Sequence, residues 1–269
     1  MKRKFTLLAL TVFIATILFA GCSTTTNTTA DNSLKDIKSK GKFVVGLDDT
    51  FAPMGFRDAN NNIVGFDIDM ATEAAKRMGV KVEFKPVQWD GIILSLNNKD
   101  IDVIWNGLTI TPEREKQIIF SKPYLQDKQV IVVKQGSTVK TKADLAGKTV
   151  GLQLGSSSET ALSADAATSK SLKEIKKYST NTDALIDLKD GRIDAVVIDE
   201  VVGRYYATKT PGVYKVLDDN FGTESYGVGI RKTDVAFKTE LDKILDGMKS
   251  DGTADKISQK WFGKSIITK

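Results

Sequence analysis

Apolar residues along this chain recur with a period that switches repeatedly between the two of a strand and the roughly 3.6 of a helix. Residues 43–47 form a short buried-strand run. Phe66, Met70 and Ala74 then fall on one face and predict a helix over 67–78. Val80, Val82 and Phe84 alternate as a strand, 90–97 returns to helical spacing, and 101–105 reads as the next strand. Upstream, Ser33 to Asp36 has the spacing to cap a short helix that ends near Gly41. Strand, helix and strand in this order build a parallel sheet covered by helices.

A second cycle echoes the first. Gly-Lys-Phe-Val-Val-Gly at 41–46 is matched by Gly-Lys-Thr-Val-Gly at 147–151, and Ile-Asp-Val-Ile at 101–104 by Ile-Asp-Ala-Val at 193–196. Ordinary strand composition could produce such short echoes; two lobes of like organisation are the other reading. Aligning the second pair places Gly107 and Asp199 alike at the carboxyl ends of their strands, the edge where open α/β sheets bind ligands. Two lobes would then face each other across a cleft. The strand-like run 129–134 and a return near 226–231 supply a two-strand hinge. Phe237, Leu241, Ile244 and Leu245 put one apolar face on a helix over 233–248, and 253–262 supplies another; both stripes are core packing.

The composition, 41% apolar and 27% charged over 269 residues, suits two folded lobes. At the start, Met-Lys-Arg-Lys precedes an apolar run at 5–20, too short to span a membrane with ease and suited to an export signal. The small residues before Cys22, the sole cysteine, resemble a bacterial lipobox; a conventional signal peptide is the alternative. The Ser/Thr/Asn-rich stretch that follows reads as a tether. With Cys22 lipidated, no thiol remains for a disulfide or metal site, and the chain has no histidine. Ser-His-Asp and Cys-His catalysis and the usual zinc sites are thereby excluded. Loss of Lys2, Arg3 and Lys4 with the leader lowers the formal charge from +5 to +2, so nothing calls for nucleic acid.

Candidate chemistry concentrates at 105–114, Trp-Asn-Gly-Leu-Thr-Ile-Thr-Pro-Glu-Arg. Thr111 can cap a helix whose first residue is Pro112, where a missing N–H costs nothing. Arg114 then lies in the first turn, against the helix dipole, unless an anion sits between them. That anion is either a ligand carboxylate or the neighbouring Glu113 or Glu115.

Gly-Phe-Asp-Ile-Asp at 65–69, Thr-Ile-Thr-Pro-Glu-Arg at 109–114, Phe-Ser-Lys-Pro-Tyr at 120–124, Asp-Gly-Thr at 251–253 and Lys-Trp-Phe-Gly at 260–263 together resemble the extracytoplasmic solute-binding proteins of polar amino-acid ABC importers. Relatives bind lysine, arginine, ornithine, histidine or glutamine. The resemblance implies an α/β, two-lobed periplasmic-binding-protein fold of type II, with two parallel-type sheets flanked by helices and joined by a two-strand hinge. It divides the chain into a lipoprotein signal peptide at 1–21, a tether at 22–33, lobe 1 at 34–128 and 227–269, and lobe 2 at 129–226.

The resemblance also assigns roles. Arg114 grips the ligand α-carboxylate, with its planar fork suited to the task. Thr109 and the Gly107 backbone contact the ammonium and carboxylate. In lobe 2, Gly-Ser-Ser-Ser-Glu at 155–159 has capping-box spacing, and Ser157 is a ligand contact. Asp199 takes the ammonium, or caps the helix beginning at Glu200, or both. Phe51 and Trp89 sandwich the ligand side chain, with Asp48 and Asn106 at its far end. Asp67 joins them or caps its helix, and Gln153 stands where some glutamine-binding relatives carry lysine. The implied protein is a monomeric, lipid-anchored subunit without cofactor, handing a polar L-amino acid to a permease and its ATPase subunits. The acidic far end favours lysine, arginine or ornithine; glutamine and cystine are alternatives. A cyclohexadienyl dehydratase is the rival of another class on the same fold, and a sensor module is a third reading.

Overall fold

The computed structural model describes residues 31–268, so the expected signal peptide, Cys22 and most of the tether lie outside the described residues. Helix Ser33–Lys40 opens the described chain and ends on Gly41 in the left-handed conformation (φ 67°). Asp36 does not cap it; Asp31 does so from outside, accepting from the Ser33 N–H.

Two five-stranded sheets centre the two lobes. In the first, the order is Lys81–Pro86, Lys42–Leu47, Val103–Ile104, Gly229–Ile230, Ile119–Phe120. The first three strands run parallel, as expected, but Gly229–Ile230 pairs antiparallel with both of its neighbours. The second sheet repeats this scheme. Thr149–Gln153 lies parallel between Glu174–Tyr178 and Ala195–Asp199, while Leu125–Lys134 and Tyr214–Tyr226 add antiparallel. Both sheets are therefore mixed, a correction to the parallel-type sheets expected. The reason is that the chain crosses between lobes twice, and a strand entering from the other lobe arrives in the opposite direction. The 41–46 and 147–151 echo marks the same place in both sheets, a strand flanked by two parallel partners.

Helix Phe66–Met78 buries Phe66, Met70 and Ala74 against the first sheet, and Val235–Ser250 buries Phe237, Leu241, Ile244 and Leu245 in the same core. The helix expected over 90–97 is a 3₁₀ turn, Trp89–Gly91, followed by Ile92–Asn97. The strand expected over 101–105 pairs only at Val103–Ile104, although its neighbours are equally buried. A small sheet of Thr50–Phe51, Gly55–Arg57 and Ile63–Val64, which has no sequence expectation, carries Phe51.

Strands Leu125–Lys134 and Tyr214–Tyr226 pair from Leu125 opposite Tyr226 to Lys134 opposite Tyr214. They reach the first lobe through the Thr109–Tyr226 bridge and the Gly227 N–H to Leu108 carbonyl bond. This double crossing brings residues far apart in sequence to the cleft.

Candidate ligand-binding site

The loop after Val103–Ile104 forms one wall. Gly107 has φ 61°, and a Cβ there would lie 2.8 Å from Phe51 Cε1 and 3.2 Å from Tyr226 Cε2, so only glycine fits without strain. Its N–H donates to Asp67 Oδ2 at 2.7 Å, and the Tyr124 hydroxyl donates to the same oxygen at 3.0 Å. Asp67 neither caps its helix, whose cap is Gly65, nor joins the far-end group around Asp48; it is fully buried and pins the loop. Burial pushes its carboxyl up to about 7 against those two hydrogen bonds. Asn106, also fully buried, accepts from the Asp48 N–H, and its own Nδ2 has no partner.

Thr111 caps Pro112–Glu115 by accepting from the Arg114 N–H, as the local sequence predicts. The Arg114 side chain turns away from Glu113 and Glu115 into the protein and is 8% exposed. Nη1 donates to the Thr109 carbonyl at 2.8 Å and Nη2 to the Gly155 carbonyl of the opposite lobe at 3.2 Å. The guanidinium carbon lies 5.8 Å from the centroid of the Trp89 ring. Desolvation lowers the Arg114 pKa, opposed by the charges of Glu224 and Asp199.

From lobe 2, Ser156 caps Ser157–Ala164 by accepting from the Glu159 N–H, while Glu159 reaches back to the Gly155 N–H. Glu159 thus accepts one residue before the cap, so the expected capping box is not closed; the Ser157 hydroxyl faces the cleft, 3.0 Å from the Thr109 hydroxyl and 3.1 Å from Gln129 Nε2. Phe51 and Trp89 stand with parallel planes (2°) and centroids 6.3 Å apart. At the far end, Gln153 Nε2 donates across the cleft to Asp48 Oδ2 at 2.7 Å, and Asn181 donates to Gln153 Oε1. Asp48, Trp89, Ser179 and Thr180 line a cavity of about 230 Å³ there.

Asp199 is the first residue of a larger acidic group. It precedes helix Glu200–Lys209 but makes no side-chain cap. That duty falls to Asp127, which accepts from the Glu200 and Val201 N–H groups and so leaves Asp199 facing the cleft. The Tyr226 hydroxyl contacts Asp199 Oδ1 at 2.6 Å and Asp127 Oδ2 at 2.9 Å. Gln129 donates to Asp199 Oδ1 and to Glu224 Oε1, and Thr109 donates to Glu224 Oε1 at 2.8 Å. Burial raises all three acids, assisted by mutual repulsion: Asp199 to about 6, Asp127 to about 7, Glu224 to about 8. One oxygen from each lies within 4.8 Å of the others, near enough for a cation. The donors already aimed at them suit an ammonium, which brings its own N–H groups, better than a metal.

Arg114, Thr109, Ser157, Trp89, Phe51, Gly107, Asp48, Asn106, Gln153 and Asp199 thus form one connected region between the lobes, and Asp67 lies behind it. Glu224, Gln129, Asp127 and Tyr226 carry no sequence expectation as site residues. The signal available was weak: polar side chains in strands that otherwise read as a hinge.

Two lobes crossed twice by the chain, with a guanidinium and a carboxylate group facing one gap, define a hinged binding protein for small solutes. The sequence matches the profile of bacterial extracellular solute-binding proteins, family 3, over residues 43–264, and the chain belongs to that family. It is 34% identical to the L-cystine-binding protein TcyJ of Escherichia coli (strain K12) over 261 residues, 96% of either chain. A histidine-bound ABC uptake transporter substrate-binding protein from Streptococcus pneumoniae superposes with a TM-score of 0.86 at 37% identity, covering 90% of this chain and all of that one. An ancestral arginine-binding protein bound to arginine is 46% identical with a TM-score of 0.79, covering 83% of this chain and 99% of its own. The protein is accordingly an extracytoplasmic, amino-acid-binding component of the ABC importer family.

Proposed function

We propose that this protein captures a basic L-amino acid, of the arginine, lysine or ornithine kind, and delivers it to its permease as a monomer anchored through lipid on Cys22. In this reading Arg114 holds the α-carboxylate, with Ser157 and Thr109 beside it, and Asp199 receives the ammonium together with the Gly107 carbonyl, since the Gly107 N–H is held by Asp67. Phe51 and Trp89 flank the side chain, and Asp48, Asn106 and Gln153 meet its end. Carboxylate contacts drawn from both lobes favour the closed form, so ligand shifts the hinge toward closure. The lobe boundaries are those of the sequence reading, at 128/129 and 226/227.

The observation that carries the basic preference is Asp48, a buried acid lining the far-end cavity, whose lining includes no lysine or arginine; Asp49 beside it is already paired with Arg57. A buried acid without a cation beside it suits a cationic tip, or an amide next best. Cystine, the ligand named for TcyJ, would bring a second, net-neutral zwitterionic head to that acidic end in place of a cationic tip. Dehydration of arogenate is disfavoured by the same reading, since the acids near the cleft are engaged around the ammonium position.

Thermal-shift screening of the proteinogenic amino acids with ornithine and cystine, followed by calorimetry, tests this. Arginine, lysine or ornithine should give the largest shifts, and Asp48→Asn should reorder the ligands toward glutamine. Cystine at the top, or turnover of arogenate, would overturn the proposal.

A further inference from the structure

We propose that Glu224 is a second carboxylate of the ammonium site, that it and Asp199 hold a proton between them in the ligand-free protein, and that an arriving ammonium expels it. The inference rests on the amino-acid reading of the cleft and adds a proton to each binding event.

The geometry favours a proton held within the acidic group. The Tyr226 hydroxyl has one hydrogen and two carboxyl contacts, to Asp199 and Asp127. One hydrogen cannot fully satisfy both, and a carboxyl O–H donating to the phenol oxygen accounts for the second, shorter contact. Asp127 receives two backbone N–H groups at the start of Glu200–Lys209, which favour its charged form and direct the phenol hydrogen to it. The proton is therefore assigned to Asp199, with Glu224 coupled to it, since one carboxyl oxygen of each lies within 4.8 Å of the other.

The charged and titratable groups at this pair come from both lobes, and Asp127 also lines a surface pocket with Arg204, Lys209 and Lys260. Asp127 lies on Leu125–Lys134, Tyr226 and Glu224 on Tyr214–Tyr226, Asp199 at the end of Ala195–Asp199, and Arg114 on Pro112–Glu115. Glu200, beginning the next helix, is engaged by Arg204. Among the described residues Arg114 is the cation set against Glu224 and Asp199, and with Asp127 also ionised three full negative charges would leave the group strongly unbalanced. Arg114 is itself more than nine-tenths buried and donates only to two backbone carbonyls, which leaves its charge for a carboxylate brought in from outside.

An α-ammonium carries three N–H donors and a positive charge. Placed at Asp199, it satisfies Asp199 and Glu224 as two ionised acceptors, where a proton satisfies one. The carboxyl O–H bond breaks, its electron pair stays on the carboxylate, and the proton leaves to water. Glu224 reaches this point because Thr109 of the first lobe and Gln129 of the crossing strand both donate to its Oε1, so its position depends on lobe closure.

Isothermal calorimetry with L-arginine near pH 7, in phosphate and in Tris, measures the protons exchanged, because the two buffers differ in ionisation heat. The expected result is net release of a substantial fraction of one proton, with affinity rising up to about tenfold per pH unit between about pH 6 and 7.5. Glu224→Gln should cut the release and flatten the pH dependence. Arginine binding with a buffer-independent enthalpy, or with proton uptake, overturns the inference and leaves the amino-acid reading standing. If arginine is silent, the strongest binder of the amino-acid panel replaces it; silence across the panel overturns both. The wild-type buffer comparison decides the matter even if the variant does not fold.

Discussion

Replacing Arg114 with methionine keeps most of the side-chain volume and removes the charge and its donors. In the proposed complex the guanidinium fork meets a ligand carboxylate while Nη1 and Nη2 also hold the Thr109 and Gly155 carbonyls. A hydrogen bond to a charged group contributes about 1.5–3 kcal/mol, so a two-bond grip contributes about 3–6 kcal/mol. At about 1.4 kcal/mol per decade, affinity should fall between about 10²-fold and 10⁴-fold. Arg114→Lys keeps the charge without the fork and should lie between methionine and wild type. Calorimetry on variants with unchanged circular dichroism measures this, with the loss expected for every ligand that wild type binds. Methionine-variant affinity within about threefold of wild type would mean that the guanidinium does not hold the ligand, and the clamp would have to be abandoned.

Stability should depend on pH with a sign fixed by the buried acids. Asp67 is pushed up to about 7 and Glu224 to about 8, both above their ordinary values. The stability linked to them is complete below the ordinary carboxylate range and is lost as pH rises through the folded values. The melting temperature of the ligand-free protein should therefore fall between about pH 5 and pH 8.5; a rise would show that these carboxyls ionise normally. Asp67→Asn retains one oxygen for both the Gly107 N–H and the Tyr124 hydroxyl, since both donate to Oδ2. It should fold and show a shallower decline in melting temperature at high pH. Gly107→Ala forces an L-residue into the left-handed region, costing about 1–2 kcal/mol, and drives a methyl against Phe51. A lower melting temperature together with weaker ligand binding is expected; unchanged affinity would separate Phe51 from the ligand side chain.

The sequence by itself determined what depends on a few neighbouring residues. The 3.6-residue period located Phe66–Met78 and Val235–Ser250 to within two residues, and Thr253–Phe262 at its stated ends. Threonine before proline sufficed for the cap that orients Arg114, because a cap is complete within four residues. The motif resemblance led to the cleft residues of both lobes, but it did not reach Glu224, Gln129 or Asp127. Thr109 and Glu224 are hydrogen-bonded across 115 residues of chain, a contact set by the register of the crossing strands and not by local propensity. Asp67 and Asp199 show the same limit from the other side. Both stand at helix starts, where capping is the economical local reading, and tertiary packing gives them other work. Local period and capping are decided by steric and hydrogen-bonding preferences between near neighbours; which charges share a buried gap is decided only when long-range strand pairing removes the water between them.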